Sequence, residues 1–397
     1  MDGVKLLSSE QNSVVVGFYG KISSNNSQAV DEELAKLRSD NPQGSLVFDF
    51  EKLEYISSAG LRALLKASKN EHNQKIKIIN VSLEVYEILE MTGFNQMFEV
   101  HKVMRRFFME GLELIGGGTN GEVYRVDKEN IIKLFKEDTS FEVIDRERNL
   151  AKQALIEGIP TAISFDVVQV EERYGIMFEL IDADSLSTTL KNKPKEYDSY
   201  VDKYIDLIKK IHSIKGDSDK FINIKSVYYD AIDYSKDYYT KEELLKLRNL
   251  VDSVPDTGTL IHGDYHPNNI MVQDGELILI DMGDMTLGHP MFDFLATAAT
   301  QVNLVNLNPE YAEFHTKMPA DLITKTWRRL IDGYFEDKSE EERKRIEEQI
   351  CIFSKLKVAL CPYFGRGVTP EILQASIDDA KQNFLPLIDD LIGAVDW

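Results

Sequence analysis

The sequence predicts a multidomain chain of α/β and α+β class: a small α/β unit over residues 1–104, a short join at 105–110, and a larger α+β unit whose C-terminal part is mostly helical. Three observations lead there. Strand and helix patterns alternate through the first hundred residues. A glycine-rich stretch between two strand-like runs follows, and after residue 184 the apolar spacing turns helical apart from a short strand at Leu277–Ile280. The chain of 397 residues is long enough for two or three cores, and its 43% apolar content is enough to fill them.

In the first unit, Ser13–Tyr19 reads as a strand, and Gln28–Arg38 has helical spacing at Val30, Leu34 and Leu37. Ser45–Phe50 is a buried strand run. Gly60–Asn70 is helical, with Leu61, Leu64 and Leu65 on one stripe. Lys75–Asn80 is a strand, and Ser82–Met91 is a helix that Gly93 stops. The join, Arg105–Glu110, has no Gly, Ser or Pro tract, and Phe107 and Phe108 are expected to be partly buried.

The second unit opens with Gly116-Gly117-Gly118-Thr119-Asn120-Gly121-Glu122-Val123, a G-x-G-x-x-G-x-V pattern. No helix pattern follows it, which argues against a dinucleotide-binding turn. A β-hairpin whose glycines let backbone N–H groups approach phosphate oxygens fits better. Ile131–Phe135 is a β-rich run with Lys133 inside it, and a lysine is costly to bury without an anionic partner. Glu147 falls early in a helical pattern, where it could pair with Lys133; an edge strand with an exposed lysine is the alternative. Farther on, Asp264 and Asn269 lie five apart in a polar loop, and Asp281 ends the apolar strand Leu277–Ile280. Phosphoryl transfer needs such a set: one carboxylate to accept a hydroxyl proton, with an Asn and an Asp to hold magnesium against nucleotide phosphates. Tyr204–Ile214, Met291–Val302, Thr324–Phe335 and Glu341–Lys357 read as helices, and Tyr228, Tyr229, Tyr234, Tyr238 and Tyr239 either line an acceptor site or serve as packing.

Taken in order, the glycine loop, Lys133, Glu147, the H-G-D-x-x-x-x-N loop from His262 to Asn269, and Asp281 resemble the aminoglycoside phosphotransferase and choline kinase branch of the protein-kinase-like fold. The resemblance implies a bilobal fold with an N-lobe over 111–183 and a helical C-lobe over 184–397. It also implies roles. Gly116, Gly118, Thr119, Asn120, Gly121 and Val123 would cover the nucleotide. Lys133 would bind its phosphates and be held by Glu147. The hinge at Phe178–Ile181, with Glu179 and Ile181, would meet the base. Asp264 would be the catalytic base, and Asn269 and Asp281 would ligate Mg²⁺. His262 and Asp284 would orient the loop and brace the metal aspartate. His266 and His289 read as loop or core histidines, and Asp293 as support for a helix start. The donor would be ATP or GTP.

The stretch from Asp49 through Ser57-Ser58-Ala59-Gly60-Leu61, with Glu87–Phe94, resembles STAS domains, the fold of anti-sigma-factor antagonists. The resemblance implies that Ser58 is a phosphosite and that a protein partner docks there. Ser57 stands where those proteins usually carry Asp. Helix capping by Ser57 or Ser58 is the alternative.

Charge is uneven. Residues 1–110 carry 13 Lys or Arg against 15 Asp or Glu, and the remainder 33 against 52, within a total of −21. This balance argues against a nucleic-acid partner. An acidic cleft would attract a cationic acceptor, although ordinary acidic solubility is the better explanation of the charge by itself. No apolar run reaches 18 residues and the N-terminus lacks a signal-peptide form, so no membrane partner is expected. Two cysteines, Cys351 and Cys361, fit a reducing cytoplasm. Two function classes follow: a kinase acting on a small hydroxyl-bearing molecule with the STAS unit as regulatory or docking module, or a signalling protein that phosphorylates a serine (its own Ser58 or a partner's) or only senses nucleotide.

Overall fold

The computed structural model describes residues 2–10, 13–42, 44–69, 75–118, 121–365 and 368–397. Two compact units are present, Met1–Arg105 and Arg106–Trp397.

The first unit contains β1 (Gly3–Glu10), β2 (Ser13–Ile22), α1 (Ser27–Asp40), β3 (Ser45–Ile56), α2 (Ser58–Ser68), β4 (Lys77–Val81), α3 (Leu83–Met91), α4 (Phe94–Met97) and β5 (Glu99–Lys102). The sheet order is β1-β2-β3-β4-β5, with β1 antiparallel to β2 and the other neighbours parallel. Alternation on β2 and β3 buries Val14, Val16, Phe18, Leu46, Phe48 and Phe50 in one layer. The Phe18 ring lies 5.1 Å from Phe48 and 4.8 Å from Phe50. Each such side chain contributes about 1.5–3 kcal/mol on burial. Val30, Leu34, Leu37, Leu61, Leu64 and Leu89 close this core from the helices. The helix read from Gly60 begins two residues earlier, and its expected end at Asn70 lies outside the described residues.

The second unit begins with β6 (Arg106–Phe107), β7 (Glu113–Gly117), β8 (Gly121–Arg125), β9 (Asn130–Phe135), α5 (Phe141–Ile156), β10 (Ser164–Val170) and β11 (Arg173–Glu179). The strands form one sheet in the order β6-β10-β11-β9-β8-β7. Phe107 packs beside the small core of Tyr124, Ile132, Leu134, Val168, Val170 and Met177. Phe108 instead is 74% exposed, against the expectation that both would be partly buried. Pairing of β6 with β10 ends at Phe107, and the next side chain of an edge strand points the other way.

Then follow β12 (Asp184–Ser185), α6 (Leu186–Asn192), α7 (Tyr197–Ser213), α8 (Ile224–Tyr234), α9 (Lys241–Ser253), β13 (Thr259–Ile261), β14 (Ile270–Gln273), β15 (Glu276–Leu279), β16 (Thr286–Gly288), α10 (Met291–Ala298), α11 (Leu304–Leu307), α12 (Pro309–Thr316), α13 (Ala320–Tyr334), α14 (Glu340–Phe353), α15 (Lys355–Ala359), α16 (Cys361–Phe364), α17 (Pro370–Asn383) and α18 (Ile388–Leu391). Two small sheets, β12-β14-β15 and β13-β16, sit among these helices. Two helices read as continuous are interrupted. A π-helical turn, Ala299–Asn303, ends α10 early. A break at Ser354 separates α14 from α15; the buried Ser354 hydroxyl donates to the Cys351 carbonyl (2.7 Å) and accepts from Asn303 Nδ2 (2.7 Å), offering the backbone a local alternative. Among the described residues no helix is long and apolar enough to cross a membrane.

Candidate active site

Lys133 lies on β9, where it faces Val123 of β8 and Ile176 of β11 across the sheet. Cross-strand partners share a face, so Val123 and Lys133 stand side by side. The ammonium Nζ donates to Glu147 Oε1 and to Asp281 Oδ1, each at 2.7 Å. Glu147 comes from α5, whose start is fixed by the Ser140 hydroxyl accepting the Val143 N–H. Ile144, Leu150, Ala151 and Ala154 bury that helix, so Glu147 arrives on a rigid support and is itself only 8% exposed. Burial alone would lower the Lys133 pKa, but the Asp281 and Glu147 carboxylates outweigh it and hold the lysine charged. Burial raises the Glu147 carboxyl, with Asp281 and Asp284 adding to the effect against the pull of Lys133.

Asp281 follows β15 with φ 61° and ψ 65°, a left-handed conformation that costs a non-glycine residue about 1–3 kcal/mol. It turns the carboxylate toward Lys133 and starts the short turn Met282–Asp284. The catalytic-type loop runs between β13 and β14. Asn269 Nδ2 donates to the Asp264 carbonyl (3.0 Å) and to Asp264 Oδ2 (3.2 Å). Its amide nitrogen is thereby spent on the loop, which leaves the amide oxygen for a cation. The Asn269 carbonyl accepts the Ile280 N–H at 2.9 Å, so the loop is tied to the residue preceding Asp281. Thus Lys133, Glu147, Asp264, Asn269 and Asp281 are brought into one region by β9, α5 and the two small sheets.

The remaining predicted residues distribute as follows. Gly116, Gly118 and Gly121 belong to the β7/β8 hairpin, closed by the Gly118 N–H on the Gly121 carbonyl (2.9 Å). Thr119 and Asn120 lie outside the described residues. In the hinge, the Glu179 N–H bonds to Ile163 and the Leu180 N–H to Glu129, while Glu179 Oε1 accepts the Ile163 N–H (2.8 Å). Among the described residues the Ile181 N–H has no such partner. Ser58, in the first unit, is exposed in the first turn of α2, and Ser57 caps that helix by accepting the Gly60 N–H (3.4 Å).

Two assignments change. His266 is more than a loop histidine: its Nδ1 accepts the Asn268 N–H (3.2 Å) and its Nε2 lies 3.4 Å from Asp264 Oδ2. Burial would raise the Asp264 carboxyl, but His266 outweighs it and, with Lys357 and His262 assisting, lowers it. Asp293 does more than support its own helix. Fully buried, it accepts the N–H groups of His262 (2.9 Å) and Gly263 (2.5 Å) and a bond from His212 Nε2 (2.9 Å), whose Nδ1 meets the Tyr334 hydroxyl (2.8 Å). The Tyr265 hydroxyl donates to the Tyr204 carbonyl, and Thr297 donates to the Tyr265 carbonyl. The loop is therefore clamped from α7 and α10. The one available signal was a charged residue within the apolar run Met291-Phe292-Asp293-Phe294-Leu295. Gly263 has φ +84°, and a Cβ there would stand 2.5 Å from the Asp284 carbonyl oxygen, so only glycine fits. The surrounding protein and the Asp264 charge raise the Asp284 carboxyl, against Lys357.

Oxygen donors of the Asn269 and Asp281 type suit a hard divalent cation. No group of three or more His, Cys, Asp or Glu side chains converges on one point among the described residues. An ion held by Asn269 and Asp281 would need its other ligands from phosphate and water. A cavity of about 570 Å³ borders the glycine hairpin at Gly118, Gly121 and Glu122, with Lys136 and Arg173. Another, of about 610 Å³, lies along α13 and includes none of these residues.

Of the tyrosines, Tyr228 is buried against Phe292 and Phe364, and the Tyr239 hydroxyl donates to the Ala359 carbonyl; these two are packing residues. Tyr234 and Tyr238 are exposed, and the Tyr229 hydroxyl donates to Asp252.

Comparison with known proteins covers both units. The STAS domain pattern matches residues 6–106. Over 83 residues the chain is 34% identical to BtrV of Bordetella bronchiseptica, named as a candidate anti-sigma factor antagonist, covering 20% of this chain and 71% of that protein. Among solved structures, ADP-bound aminoglycoside phosphotransferase APH(2'')-Ib is 17% identical with a TM-score of 0.49, over 77% of this chain and 99% of that one. The gentamicin complex of APH(2'')-IIa is 18% identical with a TM-score of 0.48, over 78% and 99%. The phosphotransferase enzyme family pattern spans residues 111–320, more than half of the chain. With an amino-terminal STAS domain ahead of it, the chain belongs to the phosphotransferase enzyme family.

Proposed function

We propose that the protein transfers the γ-phosphoryl group of ATP or GTP to a hydroxyl of a small molecule of the amino sugar or amine alcohol class, with the STAS domain as a regulatory or docking module. The observation that carries this reading is the Lys133 ammonium held between Glu147 and Asp281, 148 residues from the latter in sequence, beside a loop in which Asn269 is tied to Asp264. Structural packing has no need of a lysine shared by two carboxylates from distant parts of the chain. Phosphoryl transfer does.

In this reading Lys133 takes the nucleotide phosphates, Glu147 keeps it aimed, and the Ile181 N–H meets the base. Asn269 and Asp281 would hold Mg²⁺, which would neutralise negative charge on the phosphates. Asp264 accepts the acceptor hydroxyl proton; its carboxyl, held low by His266, is ionised and ready. The acceptor oxygen then bonds to phosphorus while the bond to the β-phosphate oxygen breaks. The net negative charge of the residues after 110, 33 basic against 52 acidic, supports an amine-bearing acceptor. The partition into 1–104, 105–110, 111–183 and 184–397 belongs to the same reading; the division at Arg105 supports its first boundary alone. So does a cytoplasmic location, supported by free Cys351 and Cys361.

The test is a screen of amino sugars and amine alcohols with each nucleotide, run beside Asp264→Ala. Wild type should turn over at least one acceptor. Asp264→Ala should bind Mg²⁺–nucleotide as before and lose transfer by about a hundredfold or more. Normal turnover in Asp264→Ala would remove its assigned role.

A second reading rests on Ser58, whose hydroxyl is exposed at the start of α2, where a phosphate meets the positive helix end. Incubation with ATP followed by intact mass separates the two. A phosphate gain lost in Ser58→Ala favours signalling, and no gain together with acceptor turnover favours the small-molecule enzyme.

A further inference from the structure

Lys357 sits on α15, beyond the stretch matched by the phosphotransferase family, yet it reaches the loop of the candidate base. Its Nζ is 3.5 Å from the Gly263 carbonyl, 94 residues away in sequence, and 5.6 Å from the Phe364 ring centroid. Its charge bears on Asp264, Asp284 and His266 together. An ammonium has three N–H donors. Among the described residues this one has a single long hydrogen bond, and it forms an ion pair with neither Asp264 nor Asp284. Lys133 differs: it is saturated by two carboxylates at 2.7 Å. A cation held among carboxylates without closing on any of them is suited to a transient anion.

We propose that Lys357 is a catalytic residue that contacts the transferring phosphoryl group, supplied by the C-terminal helices rather than by the loop itself. The inference rests on the phosphotransferase reading above. During transfer the acceptor O–H gives its proton to Asp264, the acceptor oxygen bonds to phosphorus, and the electron pair of the breaking P–O bond leaves with the nucleoside diphosphate. Negative charge on the equatorial oxygens then lies within a few ångströms of Asp264, because reacting atoms approach to about 3–3.5 Å. Lys357 transfers no proton in this step; its ammonium stabilises that charge electrostatically. Its partner in the resting protein, the Gly263 carbonyl, is weak enough to be exchanged.

The experiment compares Mg²⁺–ADP (or Mg²⁺–GDP, whichever wild type binds) with the same diphosphate plus fluoroaluminate, a mimic of the phosphoryl group in flight. It uses the full chain as wild type, Lys357→Met and Lys357→Arg. Fluoroaluminate should tighten wild-type diphosphate binding. Lys357→Met should lose about tenfold or more of that tightening while its affinity for Mg²⁺–diphosphate alone moves less than about twofold. Retained diphosphate binding also shows that the variant is folded. Lys357→Arg should recover most of the loss. Equal tightening in wild type and Lys357→Met overturns the proposal and leaves the phosphotransferase reading standing. Equal losses for both ligands mean that Lys357 acts on ground-state binding, which also overturns it. If wild type binds neither diphosphate, both readings fall.

Discussion

His266 and Asp264 set the proton economy of the loop. The Asn268 N–H on His266 Nδ1 places the hydrogen of the neutral ring on Nε2, directed at Asp264. Burial would lower the His266 pKa, but the Asp264 carboxylate outweighs it and raises it above the ordinary value of about 6.5. The sign follows. Stability gained from the His266–Asp264 pair is full below the unfolded histidine value and is lost as pH rises through the raised folded value. Basicity runs the other way: a charged His266 makes Asp264 the weaker base, and loss of that charge, with the neutral ring still donating from Nε2, makes it the stronger one. Transfer rate should therefore rise with pH through a midpoint above about 6.5, while the thermal midpoint falls over the same interval. His266→Gln should flatten both limbs. A rate limb that persists unchanged in that variant would assign the titration to another group. Lys133, Asp264, Asn269 and Asp281 were legible in the sequence because each is a polar residue in a distinctive local setting, a strand interior or a turn. His266, Asp293 and Lys357 were not, because their roles come from partners that folding alone supplies. Asp293 meets residues 31 positions away and Lys357 one 94 positions away, and no local spacing encodes either contact.

At the scale of elements, the loop between β13 and β14 is held less by its own strands than by α7 and α10. Asp293→Ala would strand two backbone N–H groups and the buried His212 ring. Removing one member of such a network costs about 3–5 kcal/mol, so the melting temperature of the phosphotransferase unit should fall by several degrees and transfer should drop with it. Asp293→Asn keeps the shape and one acceptor oxygen while its NH2 faces a donor, so it should lose less than Asp293→Ala but not recover wild type. Equal thermal midpoints for wild type and Asp293→Ala would show that the clamp contributes nothing. In the first unit, α2 depends on Ser57 and Gly60 rather than on Ser58. A Cβ at Gly60 would lie 2.7 Å from Ile56 Cγ1 and 2.8 Å from Ile22 Cγ2. Ser57→Ala should cost about 0.5–2 kcal/mol as a lost N-cap, and Ser58→Ala close to nothing. Urea unfolding of both variants checks this, and a larger loss in Ser58→Ala would move the cap. Helix boundaries were the least legible feature at this scale. The pattern through Glu341–Lys357 reads as one helix because a serine on an apolar stripe breaks no periodicity, yet Ser354 bonds to Cys351 and Asn303 and ends it.

For the whole molecule, the decisive fact is that the chain divides its apolar residues between separate cores. One, built on Val14, Phe18, Phe48 and Phe50, lies wholly within the STAS domain. The others, including the one around Ile208, Leu260, Leu279 and Phe294, lie wholly within the phosphotransferase unit. Such a chain need not unfold as one cooperative block. Calorimetry of the full protein should resolve two transitions. A ligand that binds only the folded phosphotransferase unit stabilises that unit alone, by about 2.7 kcal/mol at a hundred times its dissociation constant. Mg²⁺–nucleotide should accordingly raise one transition by several degrees and leave the other in place. Lys133→Met should abolish the shift, because the phosphates lose their cation while Glu147 and Asp281 repel one another. Ser58→Ala should leave both transitions and the shift unchanged. A single transition that moves as a whole with nucleotide would mean that the two units fold and bind as one, and the STAS domain would then be a part of the enzyme's own stability rather than a module joined to it.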